Sequence, residues 1–171
     1  AAPDDQYLAR RSANTRQQIR RSDREFGDLI FETATDRESA LAWFEEMIPL
    51  HQATWTARRK PGCFANPFFA VFHRALIARG WDRGEIALHR IRTPERTIGI
   101  LYNFRFRGRE LTYQSGFAYD TKRPRLKPGM TCHRLAIEAA ARAGLSCYDF
   151  LAGADRYKRS LADSQENLEW L

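Results

Sequence analysis

The sequence has 171 residues, with 28 Lys and Arg against 21 Asp and Glu, a formal net charge of +7. That length suits one domain of ordinary size, and a hydrophobic content of 43% is enough for a packed core, which excludes a disordered chain. No apolar run approaches a membrane span and no signal peptide opens the chain, so the reading is a cytoplasmic protein.

Cys63, Cys132 and Cys147 are far apart and form neither a CxxC pair nor a His/Cys cluster, so no metal is expected and the thiols are read as reduced and buried. The positive charge suits an anionic partner: a nucleotide, phosphate, nucleic acid or a membrane surface. The basic residues are spread over several segments, so charge alone does not choose among these.

Residues 1–12 are polar and expected to be flexible, leaving residues 13–171 as the folded domain. Ala13 to Phe26 reads as a helix ending at Gly27, with few apolar residues beyond Ile19 and Phe26. Arg16 and Arg20 share a face there, either to grip an anion or as a solvated surface. Asp28 to Thr33 is a short strand. Thr35-Asp36-Arg37-Glu38 has the form of a capping box, and the following helix sets Leu41, Phe44, Ile48, His51 and Trp55 on one face. Pro49 is expected to kink or split it near Ile48. Asn66-Pro67 starts the next helix, which runs to Gly80. Glu85 to Thr93, Thr97 to Arg107 and Glu110 to Phe117 form an antiparallel meander.

The stretch after the meander says most about function. A basic loop carrying Lys122, Arg123, Arg125 and Lys127 runs into Pro128-Gly129-Met130, the start of a helix to Ala143. Pro suits the first turn, and no Ser, Thr, Asp or Asn precedes it to cap the free N–H groups. Such a start can hold an anion with the N–H groups of Gly129, Met130 and Thr131, or be capped by water or loop backbone with the cations merely solvated. A short strand, Cys147 to Leu151, and a short helix from Asp155 complete a βαβ-type unit.

This order resembles the GNAT acyltransferase fold, an α+β (α/β) domain with a central mixed, mostly antiparallel sheet flanked by helices. In detail the chain resembles the FemAB-like acetyltransferase domain of CelD-type proteins of bacterial cellulose and exopolysaccharide synthesis. Four pieces carry the resemblance: Asn14 to Arg21; Leu50 to Trp55 with Pro61-Gly62-Cys63-Phe64; Leu101 to Phe104 with Tyr113 to Phe117; and Tyr148 to Gly153 with Arg156 to Leu161. Members of this kind usually carry a preceding GNAT-like half, so the chain is read as the C-terminal half of a longer two-lobed protein. It departs from the family at Arg125-Leu126-Lys127-Pro128-Gly129-Met130, where Pro takes the place of the first Gly of the pyrophosphate loop Arg/Gln-x-x-Gly-x-Gly/Ala.

The resemblance implies acyl transfer from acetyl-CoA or another acyl-CoA to an amine or hydroxyl of a small molecule or polysaccharide precursor. It implies donor binding by Gln114, Ser115 and Gly116 at a bulge in the fourth strand, and by Arg123, Arg125, Lys127, Gly129, Met130 and Thr131. It places Tyr157 where many relatives hold a general acid, though the residue also reads as an aromatic packing onto the sheet. Asp149, in apolar company, is either paired with an Arg or Lys as a structural lock or is the base. Lys158 is its candidate partner or meets a phosphate. Arg16, Arg20, His51 and Trp55 complete the candidate substrate-binding set, with His51 also readable as a core histidine. His133 and Glu138 are expected to face solvent or CoA. Two other functions stay open: a Fem-like aminoacyl transferase using aminoacyl-tRNA, and a non-catalytic scaffolding domain. A homodimer, or packing on a preceding lobe, is the expected assembly.

Overall fold

The computed structural model describes residues 3–153 and 155–167, with side chains from residue 6 onward. Five strands form one sheet in the order β1-β2-β3-β4-β5: β1 (Ile30–Thr33), β2 (Ile86–Arg92), β3 (Thr97–Phe106), β4 (Arg109–Phe117) and β5 (Cys147–Asp149). The first three pairings are antiparallel and β4–β5 is parallel. Short turns explain the meander. Arg107 and Gly108 both hold positive φ, 48° and 73°, between paired Phe106 and Arg109, the backbone hand that matches strand twist in a two-residue hairpin.

Helices cover both faces. On one, α3 (Arg37–Ala57) and α4 (Pro67–Gly80) bury Phe44, Met47 and Ile77 against Leu88, Ile100 and Tyr102. On the other, α5 (Pro128–Arg142) sets Cys132 and Ala136 against Ile91, Ile98 and Leu101. The meander and the helix cover on both faces follow the sequence reading.

Several details differ. The N-cap of α3 is Asp36, whose carboxylate accepts from Ser39 N at 2.7 Å, one residue after the Thr predicted to cap it. The helix is not split at Pro49 and runs 21 residues. The opening segment, predicted loose, forms α1 (Pro3–Ala9) and buries Tyr7 and Leu8. Its anchor lies far away in the chain: Tyr7 Oη donates to Leu161 O at 2.9 Å, at the end of α6 (Arg156–Leu161). This contact also covers α2 (Ala13–Phe26). Ile19, one of the few apolar residues of this helix, is fully buried with Tyr7, Leu8, Phe150 and Leu161.

Candidate functional site

β5 pairs with β4 over three residues only, ending at Leu111 opposite Asp149. Beyond that point β4 continues to Phe117 while the other chain turns away. The two part like the arms of a V, leaving a cleft of about 270 Å³ between Thr112–Ser115 on one side and Phe150, Leu151 and Ala152 on the other. His133 from α5 forms its floor, and Tyr157 and Lys158 from α6 its outer wall.

Tyr157 is 42% exposed, and its hydroxyl has no hydrogen-bond partner among the described residues. Burial of the ring, with Asp155 and Tyr119 nearby, pushes its pKa up to about 12. Its ring stacks on His133, centroids 5.7 Å apart and planes 15° apart. Of the two surroundings expected for His133 and Glu138, solvent or CoA, the first does not hold for either. Both are buried, Glu138 bonded to Arg134 at 2.6 Å and His133 Nδ1 3.1 Å from Tyr148 Oη. Burial, with Lys158 adding repulsion, lowers the His133 pKa to about 3, so the ring is neutral near pH 7 and serves as a flat support for Tyr157.

Asp149 closes the point of the V. Its Oδ2 accepts from Arg109 Nη2 at 2.8 Å and its Oδ1 from Leu151 N at 2.7 Å. Leu151 holds φ at 57°, a conformation costly for a side chain of its size, and the Asp149 bond fixes it there at the lip of the cleft. The partner of Asp149 is thus Arg109, not Lys158, whose Nζ donates to Ala152 O at 2.6 Å and ties α6 to the strand end.

On the opposite wall the β3–β4 register slips between Tyr102, opposite Gln114, and Asn103, opposite Thr112. Tyr113 is the extra residue of a β-bulge, which leaves part of the ladder unpaired beside the cleft. Tyr113 and Gln114 consequently face the same way: Tyr113 Oη lies 3.3 Å from His73 Nε2, and Gln114 lies near His51 and favours its charged form. His51 is buried, with Nδ1 3.1 Å from Gln52 Oε1 and Nε2 3.5 Å from Cys63 Sγ. Burial lowers the His51 pKa and pushes the Cys63 thiol up to about 11, so the two meet as a neutral pair. Trp55 lies beside His51 at 5.8 Å and carries Arg58 and Lys60 over its ring.

Of the two uses a glycine has in a strand, close approach or a bulge, Gly116 serves the first and seats α3. A Cβ there would lie 2.5 Å from Met47 O and 2.8 Å from Leu50 Cβ. Gly116→Ala is expected to force α3 off β4 and lower stability by about 1–3 kcal/mol. Urea denaturation measures this, and a change below about 0.5 kcal/mol would show that the contact yields freely.

The start of α5 has no side-chain cap. Pro128 has no N–H, and Thr131 N is committed to Lys127 O at 3.1 Å, leaving Gly129 and Met130 as the open donors. The Thr131 hydroxyl is also engaged, donating to Asp23 at 2.8 Å beside Ser22 Oγ at 2.9 Å. Thr131 therefore belongs to the joint between α2 and α5, and the expected three-donor anion cradle has two. Arg125 is exposed and Lys127 half-buried, while Arg123 donates to Glu25 O at 3.2 Å. Met130 packs against the cluster of Ile19 and Phe150.

Arg16 and Arg20 lie on α2, outside the cleft lining, with Arg16 donating to Ala9 O and Arg11 O. The cleft residues absent from the sequence reading of the site are Thr112, Tyr113, Phe150, Leu151 and Ala152, with His133 assigned to solvent or CoA. Their signal was weak: only the end of β5 pairing exposes them, and that end is set across the sheet.

A family model described as an acetyltransferase (GNAT) domain matches residues 9–159. No curated protein matches the chain significantly. The match spans most of the sequence, and the chain belongs to the GNAT acetyltransferases.

Proposed function

We propose that this GNAT acetyltransferase domain moves an acyl group from CoA to an amine or hydroxyl of a sugar or polymer precursor in envelope or exopolysaccharide synthesis. The observation that carries the reading is the cleft where β4 and β5 part, with an unpartnered Tyr157 hydroxyl on its wall. α5 links this cleft to the candidate donor site. His133 lies four residues after Gly129, about 6 Å along the axis. The choice of acceptor rests on the four sequence pieces that resemble FemAB-like domains.

A donor such as acetyl-CoA supplies the thioester. The residues that suit its pyrophosphate are Gly129 and Met130, through backbone N–H groups, and Arg125 and Lys127, through charge. The bulge at Tyr113 and Gln114 supplies backbone groups outside the regular ladder, suited to orient the thioester carbonyl. Tyr157 donates a hydrogen bond to the departing sulfur. No carboxylate lines the cleft among the described residues, and His133 is too weak a base near neutrality. The acceptor's proton is left to water, with Asp149 acting as a positioning residue through Arg109 and Leu151.

Calorimetry with CoA tests the donor site. Replacing Arg125 and Lys127 together by Ala removes two charge-assisted contacts, each worth about 1.5 kcal/mol at an exposed site, so affinity should fall about a hundredfold. The melting temperature should hold, since neither side chain is buried. Wild-type protein that takes up no CoA would overturn the donor assignment and favour the aminoacyl-tRNA or scaffolding reading.

A further inference from the structure

A second groove, of about 480 Å³, lies between the α1–α2 corner and α6, lined among others by Arg10, Arg11, Arg156 and Arg159. Arg10 and Arg11 are held in place from the protein side. Arg10 Nε pairs with Asp163 at 2.9 Å, and Arg11, only 6% exposed, donates to Leu161 O at 2.7 Å and pairs with the same Asp163. Arg11 Nε is buried with no partner. The guanidiniums of Arg156 and Arg159 have no hydrogen bond or ion pair among the described residues. They stand three apart on a six-residue helix, a spacing that places like charges side by side and destabilises it. Four arginines therefore line one groove, and Asp163 pairs with only two of them, Arg10 and Arg11.

We propose that this groove binds a phosphate group of a second ligand, distinct from the acyl donor. Arginine fits the chemistry: its planar fork matches phosphate oxygens two at a time and stays charged at any working pH. The pre-set pair supplies a fixed floor, and the unpartnered pair on α6 supplies donors that an anion would draw together. The hydroxyls of Ser12, Thr15 and Ser160 line the same groove and suit the remaining oxygens. α6 is shared by the two sites: Tyr157 and Lys158 line the cleft, and Arg156 and Arg159 line the groove.

The test is calorimetric titration of the full chain with inorganic pyrophosphate, alone and with CoA saturating. Pyrophosphate is expected to bind in both cases. Arg156→Gln with Arg159→Gln should weaken its binding in the presence of CoA at least tenfold, while CoA affinity moves less than about twofold. Both side chains are exposed and unpartnered, so an unchanged melting temperature should confirm that the double variant folds. If CoA does not bind, the Arg125→Ala/Lys127→Ala variant provides the same separation, because the groove should still take pyrophosphate. Loss of pyrophosphate binding on CoA saturation would assign the groove to the donor and overturn the proposal. So would wild-type protein that binds none, or a double variant that binds as tightly as wild type.

Discussion

Replacing Tyr157 by Phe is expected to slow turnover by about 10²–10³-fold while leaving CoA affinity within a factor of about two, the signature of a contact made in the transition state. The pKa pushed up to about 12 decides what the hydroxyl does. It lies well above the ~8.5 of a thiol, so complete proton transfer to a departing thiolate is uphill and the hydroxyl acts as a hydrogen-bond donor to developing charge. The rate should consequently show no alkaline fall assignable to Tyr157 below about pH 10. With no carboxylate in the cleft lining among the described residues, the acid limb should instead follow the acceptor's own ionisation and move when acceptors of different basicity are compared. Steady-state kinetics over pH 6 to 10 measures both effects. A Phe variant with wild-type turnover would remove Tyr157 from the chemistry.

Glu110→Ala is expected to cost about 3–5 kcal/mol, much of the stability of a domain this size. Glu110 is 1% exposed, yet its Oε1 accepts from His89 Nε2 and Asn103 Nδ2, both at 2.7 Å, and its Oε2 from Arg105 Nε at 3.0 Å. Burial alone would raise its pKa. The bonds from His89, Asn103 and Arg105 outweigh it and hold the carboxyl down to about 2. Because the folded value is depressed, its contribution is complete above the ordinary glutamate value of about 4.3 and is lost as pH falls towards about 2. Alanine would leave three donors without an acceptor at the residue that pairs with Tyr148, one step before β4 and β5 part. Urea midpoints at pH 7 and pH 3 check this. The gap between wild type and variant should narrow at the lower pH, and a cost under about 1 kcal/mol at pH 7 would refute the account.

The helices and meander were legible because their signals are local. The 3-and-4 spacing from Leu41 to Trp55 marks α3, and Asn66-Pro67 marks the start of α4, whose N-cap bond from Phe68 N measures 3.0 Å. The α1 helix was not legible. Two apolar residues, Tyr7 and Leu8, carry it, and their partners lie at the other end of the chain. The Arg109–Asp149 pair joins residues 40 apart and was readable only as an Asp in need of some cation. Within the site, Tyr157 and Lys158 were placed by motif, whereas the cleft's inner wall follows from where β5 stops pairing. Thr131 illustrates another limit. Helix geometry commits its N–H wherever the helix begins at Pro128, so the number of open donors depends on one boundary residue.

The bulge and the glycine in β4 are one specification. At the bulge the odd residue Tyr113 faces α4, and after it the even residues Gln114 and Gly116 face α3. Only a glycine can occupy position 116 without entering the backbone of α3. If the bulge migrated to the far side of Gly116, parity would reverse and Ser115 would meet α3 with a side chain that has no room there. Gly116 thus works as a parity check on the strand: it admits a slip that lies before it and rejects one that lies beyond it.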